Sequence, residues 1–189
     1  MHHADPPFRI TVCGLVELDG HGATGASHVL SILDPGYPVP EAFGQYGEHA
    51  RLELRFHDIV DEKPGEILPQ ASDVEQILAF GRMLQAEAGA NLLVHCHAGI
   101  SRSTAAMTLI LAQALPSAPA AAILGMVHGI REKAWPNLRM MEMGDAMLCR
   151  GGTLVAATHE LHRQQLGVRP HLAELMTGLG RQREVDAAR

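Results

Sequence analysis

The sequence predicts an α/β domain of three layers, with a mostly parallel central sheet between helical layers. Three observations predict it. Short apolar, β-branched runs alternate along the chain with longer segments of helical periodicity, the pattern of a parallel sheet covered by helices. The run Asn91-Leu92-Leu93-Val94 is apolar without alternation, as a strand buried on both faces must be. That run leads through one short loop into an apolar stretch from Thr104 to Leu115, which reads as a buried helix.

Taken in order, Arg9 to Leu15 predicts a first strand and Val29 to Leu33 a second. The stretch Asp34-Pro35-Gly36-Tyr37-Pro38-Val39-Pro40 is a turn-rich connection. Leu52 to Phe56 alternates as a third strand, and His57 to Leu68, which carries Asp58, Asp61, Glu62 and Glu66, reads as an exposed loop. Ser72-Asp73-Val74-Glu75 has the form of a capping box, followed by Val74, Ile77, Leu78, Gly81 and Leu84 at helical spacing. Asn91 to His95 is the central strand, and the helix after it runs from Ser103 to Leu115. Pro116 and Pro119 end that helix. Ile123, Met126, Val127 and Ile130 mark the next, and a methionine-rich helix follows Pro136-Asn137 to about Arg150. After Gly151-Gly152 one more amphipathic helix carries Leu154, Val155, Thr158 and Leu161. The division expected is a flexible N-terminus over residues 1–7, one domain over 8–180 and a charged, frayed tail over 181–189.

Composition narrows the function classes. A chain of 189 residues, 47% of them apolar, suffices for one domain with a real core. The net charge of −6, with Lys and Arg scattered, argues against a nucleic-acid partner. No apolar run reaches membrane-spanning length and the first residues lack the form of a signal peptide, so no membrane association and a cytoplasmic location are expected. Three cysteines, Cys13, Cys96 and Cys149, form no disulfide framework and read as reduced thiols. Twelve histidines raise the question of a metal, and His159 and His162 lie three apart on a helix. No Cys, Asp or Glu cluster accompanies them, so the reading assigns them to solvent and expects no metal and no cofactor.

The chemistry concentrates in His95-Cys96-His97-Ala98-Gly99-Ile100-Ser101-Arg102-Ser103. A cysteine at the end of a buried strand, in a loop that opens a helix, faces converging backbone N–H groups and the positive end of the helix dipole. A thiol held there loses its proton readily. The residues His97, Ala98, Gly99, Ile100 and Ser101 supply a ring of donors, and Gly99 lets the chain turn. Arg102 offers a planar fork to two oxygens of a tetrahedral anion, and Ser103 can donate to the sulfur when the thiolate departs. The plain alternatives are a buried structural cysteine, a surface arginine, and serines that only cap the helix.

The stretch His95 to Ala105 resembles the signature of the protein tyrosine phosphatase superfamily, and especially its dual-specificity branch. The resemblance extends to His28-Val29-Leu30-Ser31-Ile32-Leu33, to Leu54-Arg55-Phe56-His57-Asp58 and to Trp135-Pro136-Asn137, and covers roughly Phe8 to Arg150. It implies a phosphotyrosine protein phosphatase-like fold, a phosphocysteine intermediate on Cys96, and a phosphorylated protein or small phosphomonoester as substrate. It also implies a general acid, for which Asp58 matches the family's segment best and Asp61 is the fallback. Asp58 precedes Cys96 by 38 positions, a longer interval than the branch's pattern, as a lengthened loop would produce. His95 is expected to hold the loop and Asn137 to shape the turn beside the pocket. Two other readings stay open: a phosphate-binding module without turnover, and a rhodanese-like sulfurtransferase.

Overall fold

A computed structural model describes residues 6–189. Four strands, β1 (Arg9–Cys13), β2 (His28–Leu33), β3 (Ala50–Arg55) and β4 (Asn91–His95), form one sheet in the order β1-β4-β2-β3. Every pairing is parallel, with Cys13 opposite His95 and Ser31 opposite His95 at the carboxyl end. The strands differ from the predicted ones by two residues at most. β1 stops at Cys13 because Gly14 starts a 3-10 helix over Leu15–Thr24.

Alternation along the strands sorts the side chains into two cores. Leu92 and Val94 of β4, Leu30 and Ile32 of β2 and Val12 of β1 join the larger core, beneath α1 (Ala71–Ala86), α2 (Arg102–Ala114), α3 (Ala120–Ile130), α4 (Leu138–Met147) and α5 (Thr153–Val168). Leu93, Val29 and Cys13 face the other way, against Leu18 of the first 3-10 helix and Ala42 and Phe43 of a second, Glu41–Gln45. The layer on that face is thus built of 3-10 turns. Helix α2 is buried over nearly its whole length, as its unbroken apolar composition predicts.

Three local expectations are corrected. The N-terminal box of α1 is closed by Asp73, not Glu75: the helix begins two residues earlier, and Asp73 Oδ2 accepts from the Gln70 N–H at 2.8 Å. His162 does not face solvent; it is fully buried, with its ring stacked on Trp135 at 4.0 Å between centroids. The expected frayed tail over 181–189 is instead helix α7 (Gln182–Ala187), which follows α6 (Leu172–Gly178) and returns to the domain. Glu184 and Val185 are fully buried there and Arg181 is 2% exposed. The tail's charges are accommodated because they are paired. Arg181 Nε and Nη2 donate to the two Glu184 oxygens at 2.6 and 2.7 Å, and the same carboxylate accepts from Trp135 Nε1 at 2.8 Å and from the Leu138 N–H at 2.9 Å. A buried ion pair with its remaining valences filled can stay in an interior that would reject either charge alone. The expected flexible N-terminus lies largely outside the described residues.

Candidate active site

The loop between β4 and α2 occupies the carboxyl edge of the sheet, where parallel α/β sheets bind ligands. Its carbonyls are tied outward one after another. His97 O accepts from the Leu15 N–H at 2.9 Å. Ala98 O and Gly99 O accept from the Arg131 guanidinium at 3.1 and 3.0 Å. Ile100 O accepts from the Trp135 N–H at 2.9 Å, and Ser101 O from the Ala105 N–H at 2.9 Å. Among the described residues no N–H from His97 to Arg102 donates to a protein acceptor. With the carbonyls committed outward, those amides are left without protein acceptors, the arrangement in which a turn at a helix start can receive an anion. Gly99 is required at φ +68°, since a Cβ there would stand 2.4 Å from the carbonyl carbon of Cys13.

Cys96 is buried, and its Sγ lies 3.2 Å from Ser103 Oγ. Arg102 is 3% exposed; its Nη1 donates to Asp34 Oδ1 at 2.6 Å and to Phe56 O at 2.5 Å, while its buried Nε has no protein partner. Neither serine caps α2 by its side chain: Ser101 Oγ donates instead to Asp58 Oδ1 at 2.7 Å. Asn137 has two jobs. Its Oδ1 caps α4 by accepting from the Met140 N–H at 3.2 Å, and its Nδ2 donates to Asp58 Oδ1 at 3.0 Å and to Ile59 O at 3.2 Å.

The structure brings Asp58, His97, Ala98 and Arg102 together on one cavity of about 450 Å³, which Asp34, Lys63, Glu66 and Leu179 also line. The Oδ2 of Asp58 lies 3.3 Å from Arg181 Nη1. Burial alone would raise the Asp58 carboxyl, but Arg181, Arg102, Asn137 and Ser101 together hold it below the usual carboxylate range. Asp61 is not in this group; its carboxylate is exposed and lies 3.0 Å from Arg183.

His95 is fully buried. The Cys96 carbonyl can only accept, so His95 Nδ1 carries the proton across 3.4 Å, and Nε2 accepts from Ser31 Oγ at 2.7 Å. Burial pushes its pKa down to about 4. His97 Nε2 accepts from the Asp34 N–H at 3.1 Å, which requires the neutral ring, and burial lowers its pKa as well. Burial holds His162 well below the ordinary histidine value. Because these rings are neutral in the fold but titrate near 6.5 when unfolded, the unfolded chain binds more protons below that value. Their contribution to stability is therefore complete above about pH 6.5 and is lost as pH falls towards about 4. For His95 alone the loss amounts to about 3 kcal/mol. Urea unfolding at pH 7 and pH 5 should show a clear loss of stability, and His95→Asn should reduce its slope with pH. An unchanged slope in that variant would assign the acid sensitivity elsewhere.

Four residues of the site were not singled out in the sequence. Asp34, the first residue after β2, was readable from the rule that strand ends line the site. Arg131 and its ion-pair partner Glu17, 2.8 Å away, brace the loop from two distant elements. Arg181 belongs to the segment whose composition predicted fraying.

No family model matches the sequence, and no curated protein sequence matches it. Solved structures do match in fold. Human DUSP28 superposes with a TM-score of 0.54 at 17% identity, covering 75% of this chain and 94% of that one. Tk-PTP in its active form gives 0.54 at 19% identity, covering 77% and 94%. PTPMT1, solved in complex with PI(5)P, gives 0.55 at 16% identity, covering 75% and 91%. The sheet, the strand–loop–helix at its carboxyl edge and these superpositions agree: the chain has the fold that these phosphatase structures share.

Proposed function

We propose that this protein is a cysteine-dependent phosphatase that hydrolyses phosphate monoesters through a phosphocysteine intermediate. The observation that carries the reading is the turn over residues 97–102. Its carbonyls are tied outward, its amides are unengaged by protein, and the buried Arg102 Nε at its end has no protein partner. In the first step Cys96 Sγ attacks phosphorus, the ester P–O bond breaks, and Asp58 gives its proton to the departing oxygen. In the second, water attacks phosphorus, Asp58 takes the water's proton, and the P–S bond breaks. Ser103 Oγ, 3.2 Å from Sγ, donates to the emerging thiolate. Arg102 and the loop amides hold the equatorial oxygens in both steps, so the gain is mainly electrostatic and positional. This donor set accounts for the chemistry without a metal.

The test is hydrolysis of a series of aryl phosphates in the presence of a chelator, by wild type and Asp58→Asn. An acid matters most when the leaving oxygen is basic, so the variant should lose about 10²-fold or more on poor leaving groups and little on activated ones. Because Asp58 is held below the usual carboxylate range, the wild-type rate should also fall as pH rises through the acid region. Equal slowing across the series would remove Asp58 from the role. A leaving-group-dependent loss in Asp61→Asn would transfer it.

We assign a phosphoprotein as substrate, with phosphotyrosine cleaved well. The cavity sets Asp34, Asp58 and Glu66 against Lys63 and Arg102, and such a mixed lining does not favour a polyanionic head group. Matched phosphotyrosine, phosphoserine and phosphoinositide substrates should rank in that order by kcat/KM. Preference for the lipid would overturn the substrate while leaving the chemistry of Cys96 in place.

A further inference from the structure

We infer that Arg181, the residue entering α7, is a positioning residue for Asp58, and that the C-terminal segment is thereby a working wall of the active site. The inference rests on the phosphatase reading above, in which Asp58 moves the proton. Asp58 is held on both oxygens. Ser101 Oγ and Asn137 Nδ2 donate to Oδ1 at 2.7 and 3.0 Å, and the Arg181 guanidinium lies 3.3 Å from Oδ2. The first two partners come from the phosphate loop and the turn before α4. The third comes from the far end of the chain, and it alone is charged.

Arg181 is suited to this work because it cannot move. It is 2% exposed, and its Nε and Nη2 are locked to Glu184. Glu184 is itself fixed by Trp135 Nε1 and the Leu138 N–H. The result is a row, Glu184–Arg181–Asp58, buried at its first two members and open to the cavity at the third, in which the inner ion pair aims the remaining Nη1 at the carboxylate. The segment before α7 also reaches the pocket, where Leu179 lines the same cavity as Asp58 and Arg102. The other charged and titratable groups on this cavity are Arg102 from the start of α2, His97 and Asp34 across it, and His57, Lys63 and Glu66 from the segment after β3; Arg183 of α7 is turned to Asp61 and Glu142. Burial opposes the Arg181 charge, but Asp58 and Glu184 beside it hold the guanidinium protonated.

If the row served only to dock α7, its loss would lower stability and leave the titration of Asp58 where it was. If it positions Asp58, removing the cation must let the Asp58 carboxyl rise. The experiment follows the Asp58 carboxyl by carbon NMR across a pH titration in wild type, Arg181→Lys, Arg181→Met and the double variant Arg181→Met/Glu184→Gln. The double variant removes the buried Glu184 charge that Arg181→Met would strand, and so guards against simple misfolding. Both methionine variants should titrate at higher pH than wild type, with Arg181→Lys in between. In kinetics, Arg181→Met should lose on the order of 10²-fold in kcat/KM, as misplacement of a reacting group does. The alkaline limb of its pH profile should move upward, and both effects should vanish in an Asp58→Asn background. An Asp58 titration identical to wild type in the folded double variant would overturn the inference. So would a kinetic loss that multiplies with that of Asp58→Asn. Should wild type hydrolyse no phosphate ester, the phosphatase reading falls, while the titration still decides whether Arg181 governs Asp58.

Discussion

Cys96→Ser is expected to abolish hydrolysis of an aryl phosphate, with a loss on the order of 10⁴- to 10⁶-fold, the scale seen when a nucleophile is removed. The substitution changes one atom and keeps the shape of the site. A serine hydroxyl in this setting carries its proton at neutral pH and is a far weaker nucleophile than a thiol. The residues proposed to hold an anion are untouched: the loop carbonyls remain tied to Leu15, Arg131 and Trp135, and Arg102 keeps Asp34 and Phe56. Inorganic phosphate or vanadate should therefore still bind the variant, measured by calorimetry, while initial rates fall to background. Retained turnover in Cys96→Ser would refute the covalent mechanism. Phosphate binding by a wild type that turns nothing over would leave a binding module, and transfer of sulfur would favour the rhodanese-like reading.

The second large effect is expected at Arg102. Its Nη1 is already committed to Asp34 Oδ1 and Phe56 O, and its Nε has no protein partner. A lysine could place its ammonium near Asp34 and keep the charge. It could not keep that pair and also present a second, coplanar donor to the anion. Arg102→Lys should therefore lose about 10²- to 10³-fold in kcat/KM, the range found on deleting one preorganised donor to a developing charge, together with affinity for phosphate. Asp34→Asn offers a control, since it loosens the guanidinium without deleting it and should cost less. Unchanged vanadate affinity in Arg102→Lys would show that the anion sits elsewhere.

Much of this site was legible in the sequence because its residues are contiguous. Cys96 through Ser103 carry strand end, turn glycine, arginine and helix start in one run, and local geometry follows from local order. The central strand was legible for a related reason: a strand buried on both faces must be apolar throughout. Asp34 and Arg131 were not legible in the same way. The strand-end rule could place Asp34 at the edge of the site, but only the tertiary fold sets it against Arg102 and Arg131 against the loop carbonyls. The tail failed for a different reason. Residues 181–189 are rich in charge, and composition alone cannot tell a solvated charge from one whose partner waits inside the protein. Arg181 and Glu184 are the second kind. His162 was missed likewise, since burial against Trp135 leaves no periodic trace in the chain.

The strand order has a consequence for how the protein is made. Among the described residues β1 pairs with β4 alone, and β4 also pairs with β2, so the strand that leads into the Cys96 loop closes a gap between two older pieces of the chain. On the ribosome β2 and β3 can pair early, but β1 has no neighbour until residues 91–95 have emerged. Such non-local closure is slow compared with helix formation. The step that completes the sheet is also the step that stretches the loop after His95 into its working shape. In a nascent or heat-loosened chain without β4 in its slot, the Cys96 loop therefore has no partial form: the candidate site and the finished sheet arrive as one event.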